Sequence, residues 1–81
     1  MRSGAIGKRL FEARKRAELT VRALAEAARV SPSTITEIEQ AHHIPRADII
    51  ERLAHALRVE PGWLAFGAAE PPSAPRGDEP R

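Results

Sequence analysis

The chain has no cysteine, so neither a disulfide framework nor a thiolate metal site is open to it, and a reducing, intracellular setting suits it. No stretch approaches the roughly 20 consecutive apolar residues of a membrane span, and Met1 to Arg9 contains no apolar run of the kind a secretory leader needs. A cytoplasmic protein with no membrane partner is the expectation. Chemistry is missing too. There is no Gly-rich phosphate loop, no Ser/His/Asp set that a chain of 81 residues could enclose, and no zinc-deaminase or nuclease signature. Neither an enzyme nor a cofactor is expected. No segment reads as a strand, and no internal repeat is visible.

What is present is charge, unevenly spread. Residues 1–67 hold eleven Lys/Arg against eight Asp/Glu, while 68–81 hold two against three. Eleven of the thirteen cations are arginine, whose planar fork suits phosphates and base edges; a coding sequence rich in G and C is the other source of such a count.

Residues 20–40 read as two short helices joined by a tight turn. Thr20 and Ser31 stand where each helix would begin, able to accept from free first-turn N–H groups. Pro32 falls at a first helical position, where a missing N–H costs nothing. Leu24, Ala25 and Ala28 give the first helix an apolar stripe, and Ile35 and Ile38 anchor the second. Ala25 is small where two steeply crossing helices come close. The remaining face of the second helix carries Ser33, Thr36, Glu37 and Gln40, short hydrogen-bonding groups on a rod thin enough for a major groove. This is the pattern of a DNA-reading helix-turn-helix.

Around it, Ile6, Leu10, Ala13 and Ala17 predict a helix over 6–17 with Lys8, Arg9, Glu12, Lys15 and Arg16 outside. Ile49, Ile50, Leu53, Ala54 and Leu57 predict another over 46–58, and 61–67 reads as a short fifth helix closed by Gly67. From Ala68 there are four prolines in fourteen residues and no large apolar side chain. Such a segment cannot offset its ordering entropy. The expected organisation is an N-terminal arm (1–5), an all-α five-helix domain (6–67) and a disordered Pro-rich tail (68–81).

The helix order resembles the phage-repressor and Cro family of DNA-binding domains over about residues 5–67. The likeness is carried by Ile6-Gly7-Lys8-Arg9-Leu10, Arg14, Leu19-Thr20, Leu24-Ala25, Val30-Ser31, Ile35-Thr36, Glu39, Pro45, the run from Leu53 to Val59, and Trp63-Leu64. The resemblance implies that the helix from Pro32 enters the major groove, with base-edge contacts from Pro32, Ser33 and Glu37, and with Gln40 and the following loop facing the backbone. It also implies an ion pair between Arg14 and Glu39. There are departures: Val21 stands where a phosphate-gripping glutamine is frequent, and Pro32 where a base-reading glutamine is frequent, so recognition leans on Ser33, Thr36 and Glu37. Glu18, Arg29 and Ala41 replace the glycines usual at helix C-termini. Either those turns are rebuilt or the domain carries left-handed strain at each.

The candidate DNA-binding set is thus Thr20, Arg22, Ser31, Pro32, Ser33, Thr36, Glu37, Gln40, His42 and His43. Glu37 fits two roles, accepting from cytosine N4 or orienting a neighbouring arginine. Arg22, at a helix N-terminus that itself favours phosphate, fits a backbone contact or plain solvation. His42 and His43 lack a carboxylate or cysteine at ligand spacing, so phosphate contact is preferred to a metal, and no metal site is expected. His55 reads as structural or solvated. Trp63 and Phe66 fit both core and a subunit interface, and pairing on adjacent half-sites would double the DNA contact. Lys8, Arg9 and Arg16 read as a solubilising face.

The function expected is a homodimeric regulator of transcription, most simply a repressor on an inverted repeat of double-stranded DNA. A restriction-modification controller or a DNA-binding antitoxin is the alternative within the class. A protein-interaction adaptor with the same fold, favoured by the apolar Val21 and Pro32, is the alternative outside it.

Overall fold

A computed structural model describes residues 3–67 as five helices: α1 (Ser3–Arg16), α2 (Val21–Ala28), α3 (Pro32–Glu39), α4 (Ala47–Leu57) and α5 (Pro61–Phe66). No strand occurs among the described residues. The all-α, five-helix expectation holds. The tail assigned to 68–81 lies outside the described residues, as do Met1 and Arg2 of the arm. The rest of that arm is corrected in part, since α1 begins at Ser3 and not at Ile6.

The core is built from one stripe of each helix. Ile6, Leu10 and Ala13 of α1 meet Leu24, Ala25 and Ala28 of α2, Ile35 and Ile38 of α3, Leu53, Ala54 and Leu57 of α4, and Trp63, Leu64 and Ala65 of α5. Leu24, Ile35, Ile38 and Ala54 are wholly covered. Ala17, expected to continue the α1 stripe, is exposed because the helix stops one residue before it.

Four helices end in the same way. The residue closing each turn lies in the left-handed region: Glu18 (φ 59°), Arg29 (62°), Ala41 (64°) and Arg58 (61°). The next N–H reaches back to close the turn, Leu19 to Arg14 O at 3.1 Å, Val30 to Ala25 O at 3.0 Å, His42 to Glu37 O at 2.8 Å and Val59 to Ala54 O at 3.0 Å. This is the Schellman closure with no glycine in it. The turns are therefore kept, not rebuilt, and three of the four following residues, Leu19, Val30 and Val59, pack against the core. That apolar contact offsets a left-handed cost of about 1 kcal/mol at each site. Only α5 ends on glycine, Gly67 at φ 72°.

α1 fixes the two elements on either side of it. Against α3 it presents Gly7, where a Cβ would strike Ile38 O and approach Glu39 O to 3.1 Å. Against α5 it presents Arg9, whose Nε donates to Leu64 O and Nη2 to Ala65 O, both at 2.9 Å. Arg9 was expected to be a solvated cation. It is instead half-buried, clamping the last carbonyls of α5, which have no partner within so short a helix.

Candidate nucleic-acid interface

The two N-caps form as the hydroxyl positions suggest. Thr20 is extended (φ −78°, ψ 167°) and its Oγ1 accepts from Ala23 N at 3.0 Å. Ser31 (φ −74°, ψ 142°) accepts from Ser33 N at 3.1 Å, with Pro32 at the start of α3. Neither helix has an acidic residue in its first turn, so the positive end of each helix dipole is left uncancelled by side-chain charge.

Every member of the candidate set is exposed: Thr20, Arg22, Ser31, Pro32, Ser33, Thr36, Glu37, Gln40, His42 and His43. On α3 the division is clean. Ile35 and Ile38 are fully buried, Thr34 and Glu39 are half-buried, and Ser33, Thr36 and Glu37 face out. Ser33 and Glu37 are one turn apart on that outer side. The loop after α3 carries Gln40, His42 and His43 and is pinned by the buried Pro45, while Ile44 stands 69% exposed between them. No group of three or more His, Cys, Asp or Glu able to hold a metal ion occurs among the described residues.

Val21 is not presented to solvent like its neighbour Arg22. It is half-buried and packs against the core. Its apolar side chain therefore has a structural use at the start of α2, whereas Pro32 is fully part of the exposed surface.

Arg14 and Glu39 brace α3 from behind. Arg14 Nε donates to Glu39 Oε2 at 2.7 Å and Nη2 to Oε1 at 3.0 Å, and Nη1 donates to Leu19 O at 3.0 Å. Each of the three guanidinium nitrogens thus donates within the fold. The hydrogen bond to Glu39 holds the guanidinium pKa above its ordinary value, outweighing the opposite effect of burial. Phe11 lies against the pair, its ring centroid 5.3 Å from Arg14 Cζ.

The two aromatics assigned to an interface separate. Trp63 is 7% exposed and belongs to the protomer's own core, so it offers little surface to a second copy. Phe66 is 76% exposed and, with Ala47 and Ile50 of α4 and Pro61 and Ala65 of α5, lines an apolar hollow. His55 is exposed on α4.

Two contacts of α1 lie beyond what local sequence pattern reveals. Gly7 and Arg9 control how α3 and α5 sit on α1, yet neither is on the exposed face. Arg46 precedes α4, is exposed, and reaches Asp48 at 3.3 Å.

A family model described as "Helix-turn-helix domain" matches residues 5–64, from α1 to the middle of α5. No curated protein and no solved structure matches the chain. No helix among the described residues is long and apolar enough to cross a membrane.

Proposed function

The chain belongs to the helix-turn-helix domain family, and from that premise we propose that it is a sequence-specific DNA-binding regulator of transcription. In this reading it is a repressor of the phage-repressor and Cro type that occupies an inverted-repeat operator as a homodimer. The observation that carries it is the division of α3: two isoleucines wholly buried, Ser33, Thr36 and Glu37 wholly outside, and the helix held rigidly from behind by Gly7 and the Arg14–Glu39 pair.

A recognition helix must be stiff and must spend its outer face on base edges, and this one has short polar groups there and nothing bulky. The uncancelled N-termini of α2 and α3, with Arg22 beside the first, suit phosphates on either side of the groove. Phe66, the most exposed large apolar side chain among the described residues, lies away from the DNA side and is the group assigned to pairing two copies.

The adaptor reading loses part of its basis, because Val21 packs inward, while Pro32 and, in the loop after α3, Ile44 remain as exposed apolar groups on the expected DNA side. Selection of bound sequences from a random duplex pool at low salt tests the proposal. Enrichment of a two-fold symmetric sequence supports it; a parent protein that retains no duplex at low salt refutes it in favour of the adaptor.

A further inference from the structure

Besides Arg46, four exposed arginines among the described residues lie outside the surface assigned to DNA. Arg16 and Arg58 line a concavity of about 210 Å³ between the C-terminal ends of α1 and α4, with Ala13, Ala17, Leu57 and Val59 supplying its apolar part. One turn back along α4, Arg52 and His55 line a second hollow of about 470 Å³ with Arg29. No carboxylate lines either hollow. None of the four arginines makes an ion pair among the described residues, where the pairs are Arg14–Glu39 and Arg46–Asp48. Asp48, one turn before Arg52, is hydrogen-bonded by Arg46 and feels Arg52 only as a more distant charge. Arg52 Nη1 instead donates to Arg29 O at 3.3 Å, which ties the end of α2 to the middle of α4 across the second hollow.

Helix C-termini account for part of this placement. Arg16 ends α1, and Arg29 and Arg58 cap α2 and α4, where the dipole favours a cation. That effect leaves the charges of Arg16, Arg29 and Arg58 facing outward with no ion-pair partner among the described residues. The apolar lining between Arg16 and Arg58 has no use in binding a polyanion. Leu57 and Ala13 close the floor as part of the core, and Ala17 and Val59 are the apolar groups with surface to offer; a duplex would set phosphates on the rims and leave those two untouched, whereas an amphipathic helix could seat an apolar side chain against them and set carboxylates against the arginine forks on both sides.

We propose that the C-terminal half of α4, with the adjoining ends of α1 and α2, docks an acidic amphipathic helix of a protein partner. The lining residues share none with the candidate DNA set, so partner and operator can be held together, and the docking stands or falls independently of DNA reading.

The test uses the full chain, labelled for amide NMR, titrated with a synthetic helical peptide bearing glutamates at i and i+4 and leucines at i+3 and i+7. A peptide with glutamine for every glutamate is the control. The glutamate peptide should shift amides around Arg16, Arg52 and Arg58, and the control should not. Combining Arg16→Gln, Arg52→Gln and Arg58→Asn, the last chosen because asparagine tolerates the left-handed region, should weaken the glutamate peptide about tenfold or more while leaving the helical circular dichroism unchanged. Failure of the glutamate peptide to bind, binding unaffected by the triple variant, or equal binding of the control overturns the proposal. So does the finding that non-specific duplex DNA, and not the peptide, shifts these amides, which would make this a second DNA surface.

Discussion

Arg14 on α1 and Glu39 at the end of α3 form a two-pronged ion pair whose side chains are only 10% and 11% exposed. Breaking a buried pair from one side strands the other charge, at a cost of about 3–5 kcal/mol, comparable with the whole stability of a domain this size. Arg14→Ala or Glu39→Ala should therefore be largely unfolded at room temperature in a urea titration. The double change Arg14→Met with Glu39→Leu should recover most of the loss, because it strands no charge and costs only the hydrogen bond from Arg14 to Leu19 O. A cation with a raised pKa contributes stability that is complete below its unfolded value and lost only as pH rises through the folded one. For an arginine that window lies above about pH 12, so the melting temperature should show no loss from this pair at about pH 10.

Gly7 makes the same contact from a different direction. An alanine in a helix ordinarily gains about 1 kcal/mol over glycine, but here its Cβ would meet the carbonyl of Ile38, part of another helix's backbone that cannot rotate away. Gly7→Ala should lose about 1–3 kcal/mol net. Gly62 is the control, since a Cβ there meets nothing within 4 Å, and Gly62→Ala should be neutral or stabilising in the same denaturation series.

The left-handed residues predict the opposite sign. Ala41 has φ 64° and no charge to lose, so Ala41→Gly removes only the Cβ strain. A gain of about 1 kcal/mol is expected, which for a domain of this size raises the melting temperature by roughly 4–8 °C. A fall in melting temperature would mean that the αL position is not the strained one.

Much of this was legible in the sequence, for local reasons. Thr20, Ser31 and Pro32 act within three residues of themselves, and the apolar spacing of α2, α3 and α4 reports which side of each helix is buried. The missing glycines at 18, 29 and 41 mark left-handed sites, whereas the run around Arg58 reads as plain helix and does not betray the fourth. What was not legible depends on contacts far along the chain. Periodicity places Arg9 outside α1, and only the arrival of α5 carbonyls 55 residues later gives it partners. Gly7 is an unremarked glycine until α3 is laid across it. The i, i+3 spacing of Trp63 and Phe66 suggests one shared face, yet the packing of α5 on α1 and α4 covers the first and leaves the second outside.

That separation makes the two aromatics behave differently on substitution. Trp63→Ala should cost about 3–5 kcal/mol as a core truncation and act through folding. Phe66→Ser removes an exposed ring, so it should leave the melting temperature within about 0.5 kcal/mol of the parent while weakening self-association. Sedimentation equilibrium should find the Phe66→Ser protein monomeric at concentrations where the parent is dimeric. Unchanged association in that folded variant would place the pairing surface elsewhere.

The reading helix itself is tested by comparing a base contact with a phosphate contact. Glu37 is on the outer side of α3, one turn from Ser33, while Arg22 is exposed in the first turn of α2 beside a capped helix N-terminus. In the proposed complex Glu37 meets a base edge and Arg22 meets only phosphate, so their loss should have different signatures. Glu37→Gln should change the preference at one position of each half-site by about 1–3 kcal/mol, because an acceptor that selects cytosine N4 becomes a group that both donates and accepts. Arg22→Ala should weaken all sequences alike and flatten the salt dependence by about one phosphate contact. Binding-site selection on the parent and the two variants, followed by salt titrations on the selected duplex, measures both. If Glu37→Gln selects the same bases as the parent, Glu37 does not read DNA, and if Arg22→Ala changes base preference without changing the salt slope, the assignment of the two residues is reversed.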